Sequence, residues 1–194
     1  KGRHLTLVHD PLGRLIATVT PDAARKQTIY GVPGAVGAPD VSRPDRFEPT
    51  PWETYCYDPT DNAERTHPLQ SGSYAHHWDT PCSTVVDALG RTVIRVERNR
   101  RPLVPLQPAP PPEELRTTMR YDIAGNLLSV TDPENRTAST AGYDLAGRQL
   151  WEDTPDDGRR SVVVDAGGQP IETRDGKDAL RLIRVDRLGR VDRI

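Results

Sequence analysis

The sequence predicts an all-β protein made of successive antiparallel β-hairpins, interrupted by long irregular insertions. Two observations carry that expectation. A short Asp-x-x-Gly phrase recurs along the chain, and its spacing settles near 21 residues. No segment sustains a 3.6-residue apolar period over three turns, while 19 prolines and 15 glycines favour turns over long helices.

Aligned on the aspartate, six segments share the phrase. They are HDPLGRLIATV from His9, VDALGRTVIRV from Val86, YDIAGNLLSVT from Tyr121, YDLAGRQLWED from Tyr143, VDAGGQPIETR from Val164 and VDRLGRVDRI from Val185. The pairs are Asp10 and Gly13, Asp87 and Gly90, Asp122 and Gly125, Asp144 and Gly147, Asp165 and Gly168, and Asp186 and Gly189. Successive aspartates lie 77, 35, 22, 21 and 21 residues apart. Fixed periods of this size mark a repeat architecture. Asp at the first and Gly at the fourth position suit a type I turn, in which the carboxylate accepts a backbone bond from two residues on. The Gly supplies the positive φ of the bulge that follows such a turn in a hairpin. Strand-like residues flank each copy: TTMRY, SVVV and RLIRV before the turns, RLIATV, RTVIRV and NLLSVT after them. Each repeat therefore reads as two short strands around one tight turn. The inward face is not legible. Leu15, Ala17 and Val19 alternate after Gly13, whereas Leu128 and Val130 after Gly125 are one residue out of phase.

Three other stretches differ in character. DAARK (22–26) and PEELR (112–116) are long enough for a helical turn or two. Residues 31–51 are rich in Gly and Pro and read as an irregular excursion. Residues 102–112 carry six prolines and predict an extended polyproline strap, with an SH3-type ligand role as its alternative use. The organisation expected is an insert-bearing repeat segment over 1–101, a Pro-rich connector over 102–116 and a regular array over 117–194 that continues past the C-terminus. The chain starts on Lys1 beside a strand-like run, ends on Ile194 within another, and has Met119 as its one methionine. It is expected to be an internal piece of a longer protein.

Composition narrows the function. Apolar residues are 35% of the chain, with one Phe, which is lean for a thick core. A net charge of −2 argues against a nucleic-acid partner, and no apolar run reaches the roughly 20 residues of a membrane span. Cys56 and Cys82 form no CxxC pair and leave the redox compartment open.

The YDxxGR phrase at this spacing resembles the YD, or Rhs, repeat. HDPLGRLIATVTPDAARKQTIYG (9–31), WETYCYDPTDN (52–62) and HHWDTPCSTVVDALGRTVIRVERN (76–99) resemble the middle-to-C-terminal region of the B component of ABC insecticidal toxin complexes. VDAGGQP departs from the repeat in lacking both Tyr and Arg. The resemblance implies a spiralling, shell-like sheet that forms, with the C component, a hollow cocoon around a toxic C-terminal segment. It implies docking on a pentameric A component and a secreted, extracellular toxin. It also implies a non-enzymatic role. The autoproteolytic aspartates of the family belong to the C component's end, and no matching motif stands in this sequence.

Several groups of residues could carry chemistry. His67, His76, His77, Asp79 and Cys82, with Cys56 near, do not follow a tight paired zinc spacing and are expected to bind no metal. DPTDN (58–62) lacks a full calcium loop. DTPDDGR (153–159) reads as a solvated turn, and NRT (135–137) as a sequon relevant only in a eukaryotic secretory host. Trp52, Trp78 and Trp151 suit packing better than a sugar platform. No nucleophile elbow, zincin or phosphate-loop motif is present, so no catalytic residue and no cofactor is expected. The twelve turn residues above are the functional set, in a structural sense. Two alternatives stand beside the toxin-complex shell: a generic Rhs polymorphic-toxin shell, and a cell-surface YD-repeat adhesin that binds glycans.

Overall fold

Many of the strands are rich in β-branched and aromatic residues, and many of the described turns between them begin at an Asp. A computed structural model describes residues 4–33, 47–63, 66–68, 80–100, 111–186, 188 and 190–193. Among them there is no helix, and the protein is all-β. The chain divides into two compact units, Lys1–Arg116 and Thr117–Ile194.

In the first unit, β1 (Thr6–His9), β2 (Leu15–Val19), β3 (Arg25–Tyr30), β6 (Glu53–Tyr57), β7 (Cys82–Val86) and β8 (Thr92–Asn99) pair in that order, each antiparallel to the next. A two-residue ladder joins β4 (Val32–Pro33) and β5 (Phe47–Glu48) at the root of the 31–51 excursion, whose residues 34–46 lie outside the described set. The apolar centre is small. Ile29, Phe47, Tyr55 and Tyr57 form one buried cluster, in which Phe47 and Tyr55 meet edge to face.

From β9 (Glu113–Tyr121), whose residues from Thr117 on belong to the second unit, β10 (Leu127–Thr131), β11 (Thr137–Tyr143), β12 (Gln149–Thr154), β13 (Gly158–Val164), β14 (Pro170–Arg174) and β15 (Leu180–Leu182) continue as a meander. A short hairpin, β16 (Arg184–Val185) with β17 (Val191–Arg193), follows it. No residue of 117–194 is buried among those described. This unit is held by its ladder bonds, turns and cross-strand pairs.

Two local expectations are corrected. DAARK does not start a helix: it makes a turn at 20–24 and enters β3, where Gln27 and Ile29 are buried. PEELR likewise runs into β9 as extended chain. In both, pairing with a neighbouring strand outweighs weak local helix propensity. The strap 102–112 falls almost wholly outside the described residues.

Over residues 121–182 each repeat carries two turns rather than one. Between the Asp-x-x-Gly turns lie DPENR (132–136), TPDDG (154–158) and DGKDA (175–179), which close the other ends of the strands. The strand-turn unit is thus about half the 21-residue period.

Candidate functional site

The candidate site is a series of Asp-centred turns that share one bonding scheme. At Asp144, Oδ1 accepts the backbone N–H groups of Ala146 and Arg148, each at 2.9 Å. Oδ2 takes the guanidinium Nε of Arg148 at 2.6 Å. The Asp144 N–H donates to the Arg148 carbonyl, and the Gly147 N–H donates to the Asp144 carbonyl, both at 3.0 Å. One carboxylate therefore ties down the whole five-residue turn. Asp10 with Arg14, Asp87 with Arg91 and Asp186 with Arg190 repeat the scheme. At Asp122 the Asn126 amide replaces the guanidinium, and at Asp165 the Gln169 N–H bonds Oδ1.

The glycines of these turns have φ of 76° at Gly13, 76° at Gly90, 95° at Gly125, 77° at Gly147 and 84° at Gly168. Gly189 lies outside the described residues. Immediately after, the register slips. His9 pairs with Leu15 but Val8 with Ala17, leaving Ile16 extra. Val93, Leu128, Leu150 and Ile171 are extra in the same way, each three residues past its Gly. This is a bulge following a type I turn.

The bonding lowers carboxyl affinities for the proton. The Arg91 guanidinium holds the Asp87 carboxyl below the ordinary carboxylate range, against some desolvation. The Arg148 backbone N–H does the same at Asp144, again against desolvation and with help from the Arg148 side chain. These carboxylates accept several local donors each, an arrangement that shapes the turn backbone.

Sequence reasoning missed two members of this set. Asp132 has the full scheme with Glu134 and Arg136, and Asp175 bonds the N–H groups of Lys177 and Ala179. Asn135 and Asp178 stand where Gly stands elsewhere, with φ of 61° and 60°. The signal was present in Asp-x-x-Asn and Asp-x-x-Asp, since Asn and Asp tolerate that conformation better than other side chains.

A different acidic pair sits in the first unit. The Asp58 N–H donates to Asp61 Oδ2 at 2.8 Å, and the Asp61 N–H returns a bond to Asp58 Oδ1 at 2.9 Å. Thr80 Oγ1 donates to Asp61 Oδ1 at 2.8 Å. The neighbouring Asn62 is fully buried and donates to the Arg25 carbonyl at 2.7 Å. Burial pushes the Asp61 carboxyl up to about 6, and the Asp58 charge adds to the rise, while the Asp58 N–H and the Thr80 hydroxyl oppose it. DPTDN is thus a clasp joining the end of β6 to the approach to β7.

Of the possible metal residues, His67 lies beside Thr66, with Nδ1 3.1 Å from Oγ1. Cys56 and Cys82 stand opposite each other on β6 and β7. His76, His77 and Asp79 lie outside the described residues, as does Trp78. Among the described residues, no three His, Cys, Asp or Glu side chains are grouped to hold a metal. Trp52 is half exposed. Trp151 lies against Gly142 on the paired strand, with the Arg159 guanidinium 4.5 Å from its ring centre. A cavity of about 500 Å³ opens over β12–β15, and Leu150, Val162, Thr173, Arg160 and Arg181 contribute to its lining.

No protein-family model and no curated protein matches the chain. Solved structures do. The structure of the Photorhabdus luminescens Tc holotoxin pore matches with a TM-score of 0.78 at 23% identity, over 97% of this chain and 8% of that one. The crystal structure of TcdB2–TccC3 without its hypervariable C-terminal region matches at 0.76 and 23%, with the same coverage. A further TcdB2–TccC3 crystal structure matches at 0.73 and 24%. The chain spans less than a tenth of the length of these proteins. The likeness to toxin-complex B components met in the sequence therefore extends to the fold across nearly the whole chain.

Proposed function

We propose that the chain is a non-catalytic segment of a hollow Rhs-repeat shell that encloses a toxin and helps to deliver it within a Tc (ABC) toxin complex. Its partners are then the C component, whose toxic C-terminal segment the shell would hold, and the pentameric A component. Its place of action would be extracellular. The observation that carries this reading is the fold shared with the TcdB2–TccC3 structures over 97% of the chain. The turn carboxylates agree with it, because the bonds they accept hold backbone geometry.

The test uses the full-length protein containing this chain, coexpressed with its C component. Size and protease protection of the enclosed segment report closure of the shell. Asp144→Ala and Gly147→Val are expected to lower the yield of protected complex without abolishing any bond-making step. His76→Ala and His77→Ala should leave the yield near normal. Stoichiometric zinc, lost together with delivery in the histidine variants, would move the functional site to residues 67–82. Failure of the full-length protein to enclose any segment of the C component would overturn the shell reading.

A further inference from the structure

The chain has two cysteines among 194 residues, and the fold sets them directly opposite each other. Cys56 on β6 is the antiparallel register partner of Cys82 on β7. Directly opposed residues of an antiparallel pair present their side chains on the same face. One backbone bond fixes the pairing alternation. The Val86 N–H donates to the Trp52 carbonyl, and every second pair from there, Thr54 with Thr84 and then Cys56 with Cys82, is hydrogen-bonded. Such pairs have Cα atoms about 5.5 Å apart, which falls in the range that a disulfide spans. The next pair on that face, Thr54 and Thr84, is small. Both cysteines carry free thiols and are partly accessible, so a small reagent can reach them.

We propose that Cys56 and Cys82 are a redox-modification site, closing to a cross-strand disulfide that staples the base of the 57–81 excursion. The oxidant is a small-molecule disulfide of the glutathione class. One cysteine thiolate attacks that disulfide, forms a mixed disulfide and releases one small thiol. The second thiolate attacks the protein-bound sulfur, forms the Cys56–Cys82 bond and expels the second small thiol. Two thiol protons pass to solvent or to the leaving thiolates, and the reagent takes up the two electrons that the cysteines lose. The staple would close a loop of intermediate length, at the same place where the Asp58–Asp61 clasp and Thr80 already tie the two ends together. It would form in oxidising surroundings and open in a reducing cytosol.

The test equilibrates the 194-residue chain in buffers of reduced and oxidised glutathione, then blocks remaining thiols and maps peptides by mass. The expected product is monomeric, lighter by two hydrogens, with the Cys56 peptide joined to the Cys82 peptide. The effective concentration of the thiol pair should be at least about tenfold higher in the folded chain than in urea, because folding presents the two sulfurs to each other. The oxidised chain should melt several degrees above the reduced one, and Cys56→Ser/Cys82→Ser should show no difference between the two buffers. Thiols that stay blockable, separate glutathione adducts, linked dimers as the main product, or an effective concentration no higher than in urea would each overturn the proposal. A joined form that melts no higher than the reduced one would overturn the staple.

Discussion

Gly147 illustrates what a single position in these turns demands. Its φ is 77°, and a Cβ there would meet only the Asn126 amide oxygen, at 3.5 Å. Space is therefore not the constraint; backbone conformation is. Gly147→Val is expected to cost about 1–3 kcal/mol, because a β-branched residue resists positive φ. Gly147→Asn should cost clearly less, because Asn135 already fills the equivalent place at φ 61°. Thermal melts of the two variants check the order, and equal losses would show that something besides φ matters. Asp61 gives a second prediction at this scale. Its folded pKa of about 6 stands above the ordinary 3.8, so the folded state holds the proton more tightly than the unfolded one. Its contribution to stability is then full below pH 3.8 and declines as pH rises towards 6. The turn aspartates work with the opposite sign: their lowered pKa values contribute stability above 3.8 that is lost as the pH falls further. Asp61→Asn, which keeps the side chain neutral, should flatten the pH 4–6 part of a melting-temperature profile and leave the acid limb in place. An unchanged slope between those values would show that Asp61 does not titrate there.

At the scale of the element, the unit is a strand and its turn, and here the sequence was legible in part. Asp-x-x-Gly announced six turns, and the five of their glycines that are described all have positive φ. DPENR and DGKDA were silent because Asn135 and Asp178 do the same task without that marker. The bulges explain why the inward face could not be read. An extra residue three places after the Gly, such as Ile16 or Leu128, breaks the two-residue alternation at the second residue of the strand. A period of two holds only on either side of it. The Asp58–Asp61 clasp was unreadable for another reason: its acceptor network depends on Thr80, 19 residues away across an excursion. Cross-strand packing yields the next prediction. A Cβ at Gly142 would overlap the indole of Trp151, its register partner. Gly142→Ala should therefore displace that ring, shift the tryptophan fluorescence and cost about 1–3 kcal/mol as overpacking. In a Trp151→Ala background the same change should be close to neutral. A full loss in that background would place the strain elsewhere.

At the scale of the whole molecule, burial is uneven. The buried hydrophobic residues described are Ala17, Ile29, Phe47, Tyr55, Tyr57, Ala63 and Val96, and all belong to the first unit. In the second, Val163, Leu180 and Leu182 remain substantially exposed. Burial of apolar surface is the main favourable term in folding, so the two units cannot draw equally on it. The meander of β9–β15 depends on ladder bonds and turns, each of small net value against water. Further surface laid against it, as in the assembly proposed above, would raise its stability. The 194-residue chain alone is therefore expected to open in two steps, with residues 117–194 losing amide protection first and the β3, β6 and β7 strands last. Hydrogen exchange read by mass spectrometry on proteolytic fragments resolves the two. In the full-length protein assembled with its C component, protection over 117–194 should rise by at least about tenfold, while that of β6 changes little. Equal protection of both units in the isolated chain would show that the second has a core of its own, and would remove the physical reason for placing it within a larger sheet.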